Sequence, residues 1–225
     1  AVFVAPGQVW HAAPGQAAAA SCEDFASWCQ AHRGSAARVL VSGHLTHSIA
    51  VAADLPMRNT DETMAYARTQ FVHYYGLPAQ QWPLAAWCDG AQRGAAALHG
   101  LDLPQLASEA RAHEVRLLAV LPWWSVALRA AARHIPAWPA HQGRAAFLLI
   151  EERLATWLLL DQDVLLSMRQ RRLAAPSTSA IESLLADWQR TDQVDSSAVV
   201  VAGFGVQLDP PSVRLGGVRV VGLLD

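Results

Sequence analysis

Ser42, Gly43 and His44 place a hydroxyl two residues from an imidazole, and His47 follows three residues later. A nucleophilic hydrolase needs a hydroxyl that attacks and an imidazole that takes its proton. Two imidazoles three apart can also supply half of a metal's ligand set. No cysteine or carboxylate cluster stands nearby in sequence to complete such a set, and no G-x-S-x-G elbow occurs. One reading is therefore a small enzyme with its site around Ser42, His44 and His47. It requires those three side chains to converge on a deep pocket; the rival reading is a structural turn. Glu151 and Glu152 stand at the end of an apolar run, and Asp161 and Asp163 flank a polar turn. Carboxylates in such places are ordinarily solvated. Gly203-Phe204-Gly205-Val206-Gln207-Leu208 begins like the dinucleotide fingerprint but lacks its third glycine, and the chain has no lysine for a phosphate loop.

The elements that would carry these residues alternate between strands and helices. Val2, Val4, Val9 and His11 flank Pro6-Gly7 and predict a hairpin. The tetrapeptide APGQ recurs at Ala13, which predicts a second turn. Residues 21–32 read as a helix, with Ser21 and Asp24 at capping spacing, Phe25, Trp28 and Cys29 on one face, and Gly34 after its end. Cys22 and Cys29 would share that face. Residues 38–55 read as two strands. Asn59 and Glu62 cap a helix that puts Met64, Ala67, Phe71 and Tyr74 on one side and stops at Gly76. Residues 82–88 and 93–99 predict a strand pair around Asp89-Gly90, and Asp102 caps the next helix. Three further runs, 147–150, 155–160 and 164–169, predict a meander turning at Asp161-Gln162-Asp163. Ser179 and Glu182 open a helix through Trp188; strands at 199–202 and 218–223 close the chain.

The central stretch, residues 115–133, reads VRLLAVLPWWSVALRAAAR. It predicts a buried strand that passes through Pro122 directly into an amphipathic helix, a joint between two halves. Trp123 and Trp124 are about 100° apart on that helix. They cannot face one core equally: either one of them serves a second packing surface, the other half or a partner, or both are simply buried between the sheet and a neighbouring helix. The alternation as a whole predicts an α/β fold of mixed sheets with flanking helices.

Composition narrows the function. The net charge of −2 and a charged fraction of 16% leave no basic stripe for nucleic acid. Three cysteines make no disulfide framework and fit a reducing compartment. No run of about 20 apolar residues occurs, so no membrane span is expected within these residues; an anchor beyond them stays open.

The block VLVSGHLTHSIAVAADLP, the capped helix ending FVHYYG, the strand pair and helix, and then LLAVLPWWSVALRAA resemble the actin-like cytoplasmic proteins of bacterial type IV pilus and type II secretion assembly. These are the PilM-like proteins and the cytoplasmic domains of GspL-like proteins. The family's junction segment is matched by Val120, Leu121, Pro122 and the pair Ala127-Leu128, with Leu121 where an acidic residue is usual. The resemblance implies a two-lobed, ribonuclease H-like architecture, with residues 1–121 as the first lobe and 122–225 as a second, reduced lobe. It implies a cytoplasmic adaptor at the inner-membrane face, held there through partners or an anchor. The implied partners are an inner-membrane assembly protein with a short cytoplasmic tail, the assembly ATPase and a second copy of the chain. Nucleotide would need an Asp-x-Gly turn in each half. The first turn, Pro6-Gly7-Gln8, has no acid; in the second, Glu151 can stand for the acid but no glycine follows. Any ATP and magnesium would fall to Glu151, Gly203 and Gly205, and the resemblance implies a protein without catalysis. A degenerate nucleotide binder is the alternative.

Overall fold

The computed structural model describes residues 1–11, 20–52, 54–89, 92–135, 138–175, 177–204 and 219–222. β1 (Val2–Ala5) and β2 (Gln8–His11) form the expected hairpin, with Val4 opposite Val9. Gly7 sits at φ +70°, a seat that glycine takes without strain. β3 (Ala20–Cys22) then adds antiparallel to β2. This corrects the helix expected from residue 21. α1 spans only Phe25–Ala31, because Asp24, not Ser21, accepts the Ser27 N–H at 2.7 Å and starts the helix. Cys22 therefore lies in a strand while Cys29 is buried on α1. The second APGQ turn lies outside the described residues.

β4 (Ala36–Val41) runs parallel to β1, whereas β5 (Thr46–Ala50) leaves for a different sheet. α2 (Thr60–Tyr75) is capped by Asn59 and ends at Gly76. Its buried side is Thr63, Ala67 and Phe71, an i, i+4, i+8 line. Tyr74, expected on that side, is 68% exposed. β6 (Leu84–Asp89) and β7 (Gln92–Leu98) pair antiparallel; Gly90 of their turn lies outside the described residues. α3 (Leu103–Ala112) follows the Asp102 cap. β8 (Arg116–Pro122) runs straight into α4 (Trp123–His134), the expected joint. But β8 is not the buried strand expected: it lies at the end of its sheet, none of its residues is buried, and Leu118 is 52% exposed. β9 (Arg144–Glu151), β10 (Leu154–Asp161) and β11 (Val164–Arg172) form the meander, with Gln162 and Asp163 both at positive φ in its second turn. α5 (Thr178–Asp192) is capped by Ser177 rather than Ser179. β12 (Val199–Phe204) and β13 (Arg219–Gly222) close the chain.

The strands assemble into three sheets, ordered β3-β2-β1-β4-β8, β11-β10-β9-β12-β13 and β5-β7-β6. The two five-stranded sheets share one plan. In each, three antiparallel strands are followed by two that run parallel to the first. α4 lies between them. Strand alternation explains how one helix serves both. Val2, Val4 and Val39 face α1 and α3, while Phe3 and Leu40 face α4. In the second sheet Ala146, Leu148 and Ile150 face α5, while Ala145, Phe147 and Leu149 face α4.

The three-stranded sheet carries α2 on one side through Phe71, Ala67, Ala95 and Ala97. Gly94 is opposite Trp87, and a Cβ there would lie 2.1 Å from Trp87 Cζ2 and 2.3 Å from the Ile49 carbonyl oxygen. The backbone of β5 cannot move aside without breaking its ladder with β7. Gly94→Ala is therefore expected to destabilise the chain by about 2–3 kcal/mol, seen as a lower urea midpoint; an unchanged midpoint contradicts this packing.

Candidate functional site at the junction of the two sheets

Glu151 ends β9, a strand whose residues are buried from Ala145 onward. A carboxyl that closes such a run is driven into the interior with its strand and must find donors. They come from the loop after β4. Ser42 continues the β1–β4 ladder through its N–H to the Val4 carbonyl at 2.9 Å. Its own carbonyl accepts from Leu45 N–H at 3.0 Å and Thr46 Oγ1 at 3.2 Å, so the loop is tightly tied. Ser42 Oγ donates to Glu151 Oε2 at 2.8 Å. Gly43 N–H reaches Oε2 at 3.0 Å and Oε1 at 3.2 Å. His44 N–H donates to Ser42 Oγ at 3.1 Å, which aims the hydroxyl at the carboxyl. His44 Nε2 lies 3.1 Å from the Glu151 carbonyl oxygen, an atom that only accepts, so the ring carries its proton on Nε2.

Glycine at position 43 is a matter of close approach. A Cβ there would stand 2.7 Å from Leu154 Cδ2, 3.0 Å from Glu151 Oε1 and 3.1 Å from Gln170 Nε2. Glu151 is 2% exposed. Burial pushes its pKa up to about 7; the Ser42 and Gly43 bonds pull the other way, and the Glu152 charge adds to the rise.

Ser42, His44 and Glu151 are thus brought together, and His47 is not. Its ring stacks between Tyr75, 4.0 Å away, and His99, 4.2 Å away, with Nδ1 at 3.4 Å from Gln170 Oε1. The Ser42 hydroxyl is directed at a carboxyl rather than at an imidazole, so the three side chains do not form a nucleophile–base pair. Among the described residues no group of three or more His, Cys, Asp and Glu could hold a metal ion.

A magnesium–phosphate group does not fit the residues present. Both Glu151 oxygens are taken by Ser42 and Gly43, and Glu152, at φ +49°, and Arg153 fill the turn where a backbone would have to approach phosphate. Gly203 lies in β12 opposite Ile150, while Gly205 falls outside the described residues. Trp123 and Trp124 are both buried, against different neighbours. Trp123 meets Phe3 edge-on at 5.4 Å. Trp124 meets Trp87 at 5.8 Å and donates Nε1–H to Ser48 Oγ at 3.1 Å, reaching the three-stranded sheet.

A second feature was not legible in the sequence. β8 and β6 are both edge strands, and an apolar groove of about 110 Å³ lies between them. Leu84, Leu98, Leu103, Val120 and Leu121 line it.

The repeated sheet plan with α4 between has counterparts among solved structures. The PilM-PilN type IV pilus biogenesis complex contains a chain that superposes with a TM-score of 0.64 at 12% identity, over 99% of this chain and 87% of that one. A Bacteroides thetaiotaomicron protein with an actin-like ATPase fold and unknown function gives a TM-score of 0.60 at 8% identity, over 98% and 89%. The fold is actin-like. The cytoplasmic domain of EpsL, an inner-membrane component of the type II secretion system of Vibrio cholerae, gives a TM-score of 0.54 at 12% identity, over 90% and 79%. No family model and no curated protein matches the chain. No helix among the described residues of this actin-like chain is long and apolar enough to cross a membrane. Its junction is closed by an internal carboxyl bridge between the loop after β4 and the end of β9.

Proposed function

We propose that this actin-like chain is a non-catalytic adaptor of a bacterial pilus or type II secretion assembly, acting at the cytoplasmic face of the inner membrane. It holds the short cytoplasmic tail of an inner-membrane assembly protein. The observation that carries this reading is the groove between β8 and β6. Among the described residues no strand pairs with the outer side of β8, and Leu118 on it is 52% exposed. An extended tail can hydrogen-bond along that edge while an aliphatic side chain enters the groove. The likeness to a chain of a pilus biogenesis complex and to a secretion-system domain supports the setting. The engaged Glu151 and the glycine-free turn beside it support the lack of catalysis. The assembly ATPase and a second copy of the chain are further partners under this reading.

Isothermal titration with the cytoplasmic tail peptide of the inner-membrane assembly protein tests the reading. Leu103 is half-buried, lines the groove and opens α3, where an acid suits the helix start. Leu103→Asp is therefore expected to weaken binding at least about tenfold, with the melting temperature nearly unchanged. Equal affinity in the variant, or no binding by the parent chain, removes the proposal. Titration with ATP and magnesium is expected to give no heat at millimolar ligand; a saturable heat would favour the nucleotide-binding alternative.

A further inference from the structure

We propose a second binding site, at the outer rim of the junction, for an acidic side chain of a protein partner. An open depression of about 490 Å³ is lined by His44, Glu152, Arg153, Arg172, Leu173 and Ala174. Its walls come from three places: the loop after β4, the β9–β10 turn and the end of β11. They are held in register. Leu173 N–H donates to the Arg153 carbonyl at 2.6 Å, and His44 Nε2 is fixed on the Glu151 carbonyl at 3.1 Å. The depression is therefore a shaped feature with its cationic groups anchored at the backbone.

Its charge selects the ligand. The ion pairs among the described residues are His141–Asp163, Arg169–Asp192 and Arg171–Asp187, so neither Arg153 nor Arg172 is spent in one. Two guanidiniums against the single carboxylate of Glu152 leave one positive charge; the Nε2–H of His44 already serves the Glu151 carbonyl, so its ring shapes the wall rather than adding a donor. That balance suits one incoming carboxylate. A phosphate dianion is matched less well: Glu152 repels it, and the nearby Gly43 N–H that would cradle it already serves Glu151. Leu173 and Ala174 offer an apolar flank for the methylenes of a glutamate. Guanidinium forks bind carboxylates through paired hydrogen bonds. A carboxylate seated here touches the loop of the first five-stranded sheet and the meander of the second, so it clamps the two together. The site shares no residue with the groove between β8 and β6 and does not depend on what that groove binds.

The probe is a blocked peptide, Ala-Glu-Ala-Glu-Ala, titrated into the whole chain at low salt and followed by amide NMR shifts. Saturable shifts are expected around residues 44, 153 and 172. The glutamine version of the peptide is expected to give none. Salt of about 0.5 M should weaken binding several-fold by screening. Arg153→Gln with Arg172→Gln should weaken it about tenfold. Both side chains are exposed, so the fold should survive; Arg153→Lys with Arg172→Lys, which keeps the charge, should lose only about threefold. Equal binding of the glutamine peptide, unchanged affinity in the double glutamine variant, or inorganic phosphate binding tighter than the peptide would each overturn the proposal.

Discussion

Trp123→Ala is expected to lower stability by about 3–5 kcal/mol and the melting temperature by roughly 10 °C. Trp123 is 7% exposed and opens α4. On one side it meets Phe3 of the first five-stranded sheet. The core it belongs to continues through Trp138, Phe147, Leu149 and Val200 of the second half. Truncation leaves a cavity in the layer that both sheets share, and neither sheet can collapse into it without moving the other. The loss should therefore broaden the unfolding transition as well as shift it. Trp124→Ala is the internal comparison. It removes the Ser48 bond and the Trp87 contact, so its damage should centre on the three-stranded sheet. Hydrogen exchange separates the two: Trp123→Ala should speed exchange in β1 and β9, Trp124→Ala in β5 and β6. An unchanged melting temperature in Trp123→Ala would remove α4 from its place as the shared layer.

Much of this architecture was legible because burial writes a period into the sequence. The central strand–helix joint, the meander and the Asn59 and Asp102 caps follow from apolar spacing and cap residues alone. The misreadings arose where two signals competed. Ser21 offered a cap at the right spacing, but its backbone was taken by pairing with Trp10, and Asp24 became the cap. Tyr74 fell at helical spacing, but the buried side follows i, i+4 steps from Thr63, which turns Tyr74 outward. The site was harder for a different reason. Ser42 and Glu151 are 109 residues apart, and no local pattern links them. One signal was present: RAAFLLIE is apolar from Ala145 and ends in an acid, and a carboxyl at the end of a buried strand demands donors. The serine–glycine step after VLV, another buried strand, supplies them. The groove between β8 and β6 left no trace, because it depends on which strands end up at sheet edges.

The same bridge sets how stability should vary with pH. Glu151 has a folded pKa of about 7, above its ordinary carboxylate value near 4.5. The folded chain keeps this proton longer than the unfolded chain does. Stability contributed by the group is thus full below about pH 4.5 and is lost as pH rises through 7, a loss of about 3 kcal/mol. His99 works in the opposite sense. Burial, then the His47 and Arg172 charges, hold it down at about 4, so its contribution is full above 6.5 and is lost as pH falls toward 4. Burial lowers His47 and His11 as well and adds to that acid-side loss. Between pH 4.5 and 6.5 the two senses oppose each other; above 6.5 only Glu151 still changes. Stability should therefore peak near pH 6 and decline toward pH 8. Glu151→Gln is expected to abolish the decline while leaving the acid limb in place, and His99→Gln to weaken the acid limb alone. Glu151→Ala should cost a further 2–3 kcal/mol or so at pH 6, because the Ser42 hydroxyl and Gly43 N–H lose their acceptor in the interior. Urea midpoints from pH 4 to 9 measure all three variants. A decline above pH 6.5 that persists in Glu151→Gln would mean that another group titrates there and that the Ser42–Glu151 bridge is not what couples the two sheets to pH.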